Sequence, residues 1–209
     1  MNRKNRFAVK LLNLLGRASY RVYYFTRCKE NLMMFGYMPE TLKCRNRLAE
    51  YCVGNGLEIG HGGFPINDSV ITVDLKEPHI DFGLRKTNYV GDAADLSWLS
   101  DNSMDYIYSS HVLEDFEDTF KILQEWVRVL KTGGRLVLYL PDQPTYLQYC
   151  RDNGNDSNFR HKIPDFSLDY IRQIVNKMQS CRIIHGIDKV DEYSFEVVIE
   201  KAGPGTSAL

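Results

Sequence analysis

Gly56-Leu57-Glu58-Ile59-Gly60-His61-Gly62-Gly63, followed by Val70-Ile71-Thr72-Val73-Asp74-Leu75, reads as an apolar strand, a glycine-rich turn and a second apolar strand ending in a carboxylate. Glycines let backbone come close to a ligand, and a carboxylate at a strand tip can accept hydrogen bonds from two ribose hydroxyls. Together they are the chemistry of a nucleoside held at the carboxyl edge of a parallel sheet. Only nine residues, His61 to Ser69, separate the turn from the second strand, and Pro65 lies among them. A parallel crossover normally needs a dozen residues or more, generally with a helix. The spacing therefore predicts a shortened first crossover, with no helix or a single turn.

Outward from this stretch, strands are expected at 56–60, 70–74, 88–90, 104–110 and 134–140, with two late ones near 181–187 and 193–200. Helices are expected at 5–28, 40–53, 117–130 and 168–179. The third places Phe120, Leu123, Val127 and Leu130 on one face, with Gly133-Gly134 to end it. Ser167 is the expected N-cap of the fourth. Strands alternating with helices predict an α/β fold: a Rossmann-like, mostly parallel sheet with an antiparallel late strand and helices on both faces. Ligands of such sheets sit beyond the carboxyl ends of the strands. Gly60, Asp74, the Asp92 turn, His111 and Asp142 are accordingly expected on one rim. The organisation reads as an N-terminal helical cap over 1–53, a sheet domain over 54–201 and a flexible tail over 202–209.

Composition narrows the classes. At 209 residues, 44% hydrophobic and 12% aromatic, the chain can bury a real core, which excludes wholesale disorder. A net charge of −1 gives no global field for nucleic acid. Yet residues 1–29 hold eight Lys or Arg and no acid, leaving the remainder at −9. This basic helix is either an ordinary lid with solvated charges or a segment lying on an anionic membrane surface. Five cysteines, an odd number without C-x-x-C pairing, fit a reducing compartment and neither a disulfide framework nor a zinc site. No segment approaches the ~20 apolar residues of a spanning helix. The expected location is cytoplasmic, with peripheral contact at the inner face of the membrane if the basic helix binds lipid. No His/Asp/Glu cluster has metal-ligand spacing, so no metal is expected.

Each motif has a plain alternative. The turn at 60–63 lacks the third glycine of a dinucleotide fingerprint, with Pro65 in its place, which disfavours a nicotinamide cofactor. Asp74 either contacts ribose or caps a loop. In Gly91-Asp92-Ala93, the Asp can accept from an adenine amine while the next N–H donates to a ring nitrogen, although Gly-Asp alone is a common turn. His111, leaving the fourth strand, is either a base or a structural histidine. His161, in the loop 153–165, is a second candidate base. Asp142 and Tyr146 either contact substrate or serve the helix that follows.

The order of these blocks resembles the class I S-adenosylmethionine-dependent methyltransferases. Glu58-Ile59-Gly60-His61-Gly62-Gly63 matches their first motif and Val73-Asp74-Leu75 their ribose motif, while Asp92-Ala93 falls at their adenine position. Ser109-Ser110-His111-Val112-Leu113-Glu114 looks like their fourth-strand signature, and Arg128-Val129-Leu130-Lys131-Thr132-Gly133-Gly134 like the segment entering their fifth strand. Within that family the chain is most similar to methyltransferase-type-11-like proteins found with polysaccharide synthesis enzymes. It departs from them at Phe64, Asp115 and Thr132, where a glycine, a histidine and a proline are usual. The resemblance implies S-adenosyl-L-methionine as cofactor, with S-adenosyl-L-homocysteine as product. It also implies a cofactor site of Glu58, Gly60, His61, Gly62, Asp74, Leu75, Asp92, Ala93 and Ser109. The expected reaction is O-methylation of a sugar or glycan intermediate. Another small metabolite or lipid is the alternative acceptor, and a silent binding module the alternative class. No Asn/Asp-Pro-Pro-aromatic motif follows the fourth strand, so nucleic acid is not an expected partner.

Overall fold

The computed structural model describes residues 38–78 and 86–203. The basic helix expected at 5–28 and most of the expected tail lie outside them. The element order is α1 (Glu40–Leu48), β1 (Gly56–Ile59), β2 (Ile71–Asp74), β3 (Tyr89–Val90), β4 (Met104–Ser110), α2 (Thr119–Val129), β5 (Leu130–Pro141), α3 (Gln143–Asn153), α4 (Leu168–Lys177), β6 (Cys181–Val190) and β7 (Ser194–Lys201). Single 3-10 turns follow α1 at Ala49–Tyr51 and β4 at Leu113–Asp115.

The seven strands form one sheet in the order β3-β2-β1-β4-β5-β7-β6. Strands β1 to β5 pair in parallel, and β7 joins β5 and β6 antiparallel. Side chains alternate across the strands, so each face needs its own apolar cover. Leu57, Ile59, Ile107, Leu136 and Leu138 pack under α2 and α4 through Leu123, Trp126, Val127, Ile171 and Val175. On the other face, α1 lays Cys44 and Leu48 over Tyr106, Tyr108, Val137 and Tyr139. Tyr108 Oη donates to Thr41 Oγ1 at 3.2 Å, and Arg47 binds Asp191 at 2.7 Å, pinning α1 to the sheet. The segment 40–53 therefore shares the core of the sheet domain. Cys44, Cys52, Cys150 and Cys181 are free and buried.

No helix lies between β1 and β2, as the short spacing predicted. The connection folds inward instead, burying Phe64, Ile66 and Val70. Glu58 holds it there, accepting the Ile66 N–H at 2.6 Å. Two boundaries differ from the expectation. The glycines at 133–134 do not end α2; the chain turns extended at Leu130, which already pairs with Met104. Gly133, at φ 79°, sits in the register shift before Arg135 pairs with Tyr106. Strand β6 also continues to Val190, where a tight hairpin with Asp191 at φ 54° leads into β7.

Candidate functional site

The carboxyl ends of β1 to β4 border a cavity of about 500 Å³. Gly60 and Gly62 line it, at φ 73° and 55°. A Cβ on Gly60 would stand 2.3 Å from Val112 Cγ2, so only glycine fits there without displacing the wall. His61 lines the cavity but folds its ring back as a brace. Its Nδ1 accepts the Gly63 N–H at 2.9 Å, and its Nε2 is 2.9 Å from Thr87 Oγ1. Asp74 lines the cavity at the tip of β2, its Oδ1 accepting the Leu75 N–H at 2.9 Å, and Leu75 lies exposed beside it. In the turn after β3, Asp92 accepts the Ala94 N–H at 2.8 Å, and the Ala93 carbonyl accepts Trp126 Nε1–H at 2.8 Å. Among the described residues nothing accepts the N–H of Gly62 or of Ala93.

Two expected contacts act through the wall. Glu58 is not among the lining residues, because its carboxylate ties the 60–66 loop to β1. Ser109 is buried beneath the rim, with Oγ donating to the Ile59 carbonyl at 3.1 Å, and its neighbour Ser110 faces the cavity instead. That exchange follows from the strand's alternation, which puts only one of two adjacent serines on the open side.

The rest of the lining comes from Pro39 to Thr41, Ser110 to Val112, Asp115, Phe116, Asn158 to Arg160 and Lys162. His111 lies here in the left-handed region at φ 52°. Its Nε2 is 3.2 Å from Ser194 Oγ and 3.6 Å from Glu40 Oε2, and its Nδ1 is 3.7 Å from Glu114 Oε1. Burial, with the Lys43 charge adding to it, pushes the imidazole down to about 3, so His111 is neutral at ordinary pH. Burial drives the Glu114 carboxyl far in the other direction, and raises Glu40 despite the opposing pull of Lys43.

His161 does not line the cavity. Its side chain is only 4% exposed, with Nδ1 2.6 Å from Gln143 Oε1 and Nε2 3.7 Å from Glu114 Oε1. Burial, helped by the nearby His111, lowers it to about 4. Asp142 and Tyr146 do not line the cavity either. Asp142 caps α3, accepting the Thr145 N–H at 3.0 Å, and Tyr146 Oη accepts the Asn158 N–H at 2.9 Å. For Asp142 the geometry gives the helix-capping reading, whereas Tyr146 does neither and braces the loop after α3. Glu40, Phe159, Arg160 and Lys162 were not singled out as site residues by the sequence. Glu40 was visible only as a helix start, and the other three belong to a loop whose path depends on α3. Among the described residues, no group of three or more His, Cys, Asp or Glu is placed to hold a metal ion.

Residues 52–138 match the model of the methyltransferase domain family. Solved methyltransferases superpose over most of their length. One from Thermotoga maritima is 22% identical with a TM-score of 0.58, covering 78% of this chain and 89% of its own. One from Archaeoglobus fulgidus is 18% identical, also at 0.58, covering 83% of this chain and 100% of its own. The fold is that of the class I methyltransferases. A demethylmenaquinone methyltransferase of Staphylococcus saprophyticus is 34% identical over 104 residues, 46% of this chain and 42% of that protein. The chain thus spans less than half the length of the curated relative it matches.

The methyltransferase domain and fold imply S-adenosylmethionine as cofactor, and the cavity fits it. Its volume lies within the usual range for small-molecule sites. The open N–H groups of Gly62 and Ala93 can donate, the carboxylates of Asp74 and Asp92 can accept, and Ile59, Val73 and Leu75 supply apolar surface between them.

Proposed function

We propose that this chain is an S-adenosylmethionine-dependent methyltransferase acting on a hydroxyl of a sugar or glycan intermediate. The observation that carries the reading is the single cavity shared by the strand-tip rim at Gly60, Asp74 and Asp92 and by the polar wall at Glu40 and His111. In this reading the 60–63 backbone holds the amino-acid portion of the cofactor, Asp74 with Leu75 the ribose, and Asp92 with Ala93 the adenine. Glu58 and Ser109 fix the turn and strand that carry them.

When bound, S-adenosylmethionine supplies a methyl group already activated on a sulfonium. What remains for the protein is to position the acceptor, exclude water and take a proton. His111 is placed for the last task, since a buried neutral imidazole can accept a hydroxyl proton. The imidazolium so formed, which burial alone disfavours, would have its Nε2 3.6 Å from Glu40 Oε2, whose charge would steady it. His161 acts behind it as a positioning residue, fixing the 158–162 wall through Gln143.

A second acceptor class, a lipid-like metabolite, draws support from the 34% identity to a demethylmenaquinone methyltransferase. The excess of eight basic residues in 1–29 supports peripheral contact with anionic membrane at a cytoplasmic face. Among the described residues no helix is long and apolar enough to cross a membrane. Calorimetric titration with S-adenosylmethionine, S-adenosylhomocysteine and NAD tests the cofactor: the first two bind and NAD does not. A labelled-methyl screen over nucleotide sugars, lipid-linked glycans and demethylmenaquinone separates the acceptors. Co-sedimentation with anionic but not neutral liposomes, lost in high salt, tests the membrane contact.

A further inference from the structure

The acceptor side of the cavity carries two features that the methyl-donor site does not use. The first is a buried carboxylate oxygen. Glu40 Oε1 accepts Lys43 Nζ at 3.1 Å and Tyr193 Oη at 3.2 Å, while Oε2 of the same group is buried without a hydrogen-bond partner. Leaving such an oxygen unsatisfied is costly, and a hydroxyl donor arriving in the cavity would relieve it.

The second feature is the segment Asn158-Phe159-Arg160-His161-Lys162. It is anchored from beneath at three points: the Asn158 N–H on Tyr146 Oη, His161 Nδ1 on Gln143 Oε1, and the Lys162 N–H on the Glu114 carbonyl at 2.9 Å. His161 is the buried peg. The residues around it are turned the other way, and Phe159, Arg160 and Lys162 all line the cavity. Phe159 is 82% exposed although its backbone neighbours are held in place. Among the described residues, neither Arg160 nor Lys162 has a carboxylate within ion-pair distance. An aromatic ring with the Arg160 guanidinium 6.0 Å from its centroid and Lys162 on the same wall, presented on a braced loop, suits a ring that carries an anionic group.

We propose that the acceptor is a polyhydroxyl compound bearing a phosphate ester, with one hydroxyl donating to Glu40 Oε2 beside the reacting hydroxyl at His111, its phosphate held by Arg160 and Lys162, and Phe159 against its ring. This deepens the methyltransferase reading and rests on it for the name "acceptor", but the binding claim stands by itself. A sugar phosphate, a nucleotide sugar and a polyprenyl-phosphate-linked sugar share that chemistry.

The test is calorimetric titration of the full chain, with and without saturating S-adenosylhomocysteine. The probes are glucose, glucose 1-phosphate, UDP-glucose, and neutral phosphatidylcholine vesicles with or without polyprenyl phosphate. The proposal expects at least one phosphorylated probe to bind about tenfold or more tightly than its unphosphorylated control. Which probe responds identifies the source of the phosphate. The Arg160→Ala/Lys162→Ala double variant should lose about tenfold per cation for that probe, while its affinity for S-adenosylhomocysteine changes less than twofold. Glu40→Gln should weaken the sugar phosphate and glucose alike, since it acts on the hydroxyl end. Equal affinity for charged and uncharged probes, or a double variant that binds like the wild type, overturns the proposal. If S-adenosylhomocysteine fails to bind while the phosphorylated probe still depends on Arg160 and Lys162, the cofactor reading falls and this one stands.

Discussion

On one side of the cavity, Gly60 to Gly62, Asp74 and Asp92-Ala93 present backbone N–H groups and carboxylates directly at strand ends; on the other, Glu40, His111, Phe159, Arg160 and Lys162 present side chains from three separate segments. The first side is built from turns whose geometry is set within a few residues of each strand. It stays polar, with Asp92 exposed and Asp74 half-buried. The second side is assembled only when α1, the end of β4 and the loop after α3 meet. At His111 burial dominates, holding the imidazole neutral, and behind it burial keeps the Glu114 carboxyl protonated above its usual range, while Phe159 stays exposed. The difference teaches that one part of the cavity is fixed locally at strand ends and the other only by the meeting of distant segments. A wall of backbone and strand tips leaves little to vary, whereas side chains on converging segments can change without disturbing the sheet.

The sharpest way to break that division is His111→Ala. Acceptor turnover should fall ~10²–10⁴-fold while S-adenosylhomocysteine binding stays within twofold, measured by labelled-methyl transfer and calorimetry. Unchanged turnover would remove the acceptor side's chemical role. Gly60→Ala attacks the other side. Strain at positive φ and the collision with Val112 should cost roughly a hundredfold in S-adenosylhomocysteine affinity and lower the melting temperature.

Glu114→Gln probes the burial itself. Burial holds the folded carboxyl protonated above its ordinary value of 4.5, whereas the unfolded chain releases that proton. Wild-type stability is therefore lost as pH rises above that value, by at most about 1.4 kcal/mol per pH unit, until the folded group also ionises. The variant lacks this slope, so its melting temperature relative to wild type should climb between pH 5 and pH 8. A flat difference would show that Glu114 is solvated.

Asp74→Ala should weaken S-adenosylhomocysteine about tenfold with little change in stability. The smallest effect is expected at Asp142→Ala, which removes the cap of α3 and about 1 kcal/mol of stability. Its KM for the methyl acceptor should not change; a tenfold rise would put Asp142 back among the substrate contacts.

The legible part of the site follows the same division. Gly60, Asp74 and Asp92 were readable because a strand, a turn and a polar residue at its tip are neighbours in sequence. The missing crossover helix was readable too, from nine residues with a proline among them. Asp142 misled for the same local reason: it also follows a strand, but α3 begins at once and takes its carboxylate. Ser109 and Ser110 could not be told apart without the register of β4 against β1. His161 looked catalytic as a loop histidine, and became a buried peg once α3 brought Gln143 beneath it.

By itself, the sequence determined the parallel sheet, its shortened first crossover and the rim of glycines and strand-tip carboxylates, because periodicity, glycine and strand-tip polar residues act over a few residues. Only the tertiary structure decided which histidine faces the cavity, that Glu40 stands beside it, and that Phe159, Arg160 and Lys162 turn inward. Those outcomes depend on burial and on contacts between segments far apart in the chain, and neither is encoded in local spacing.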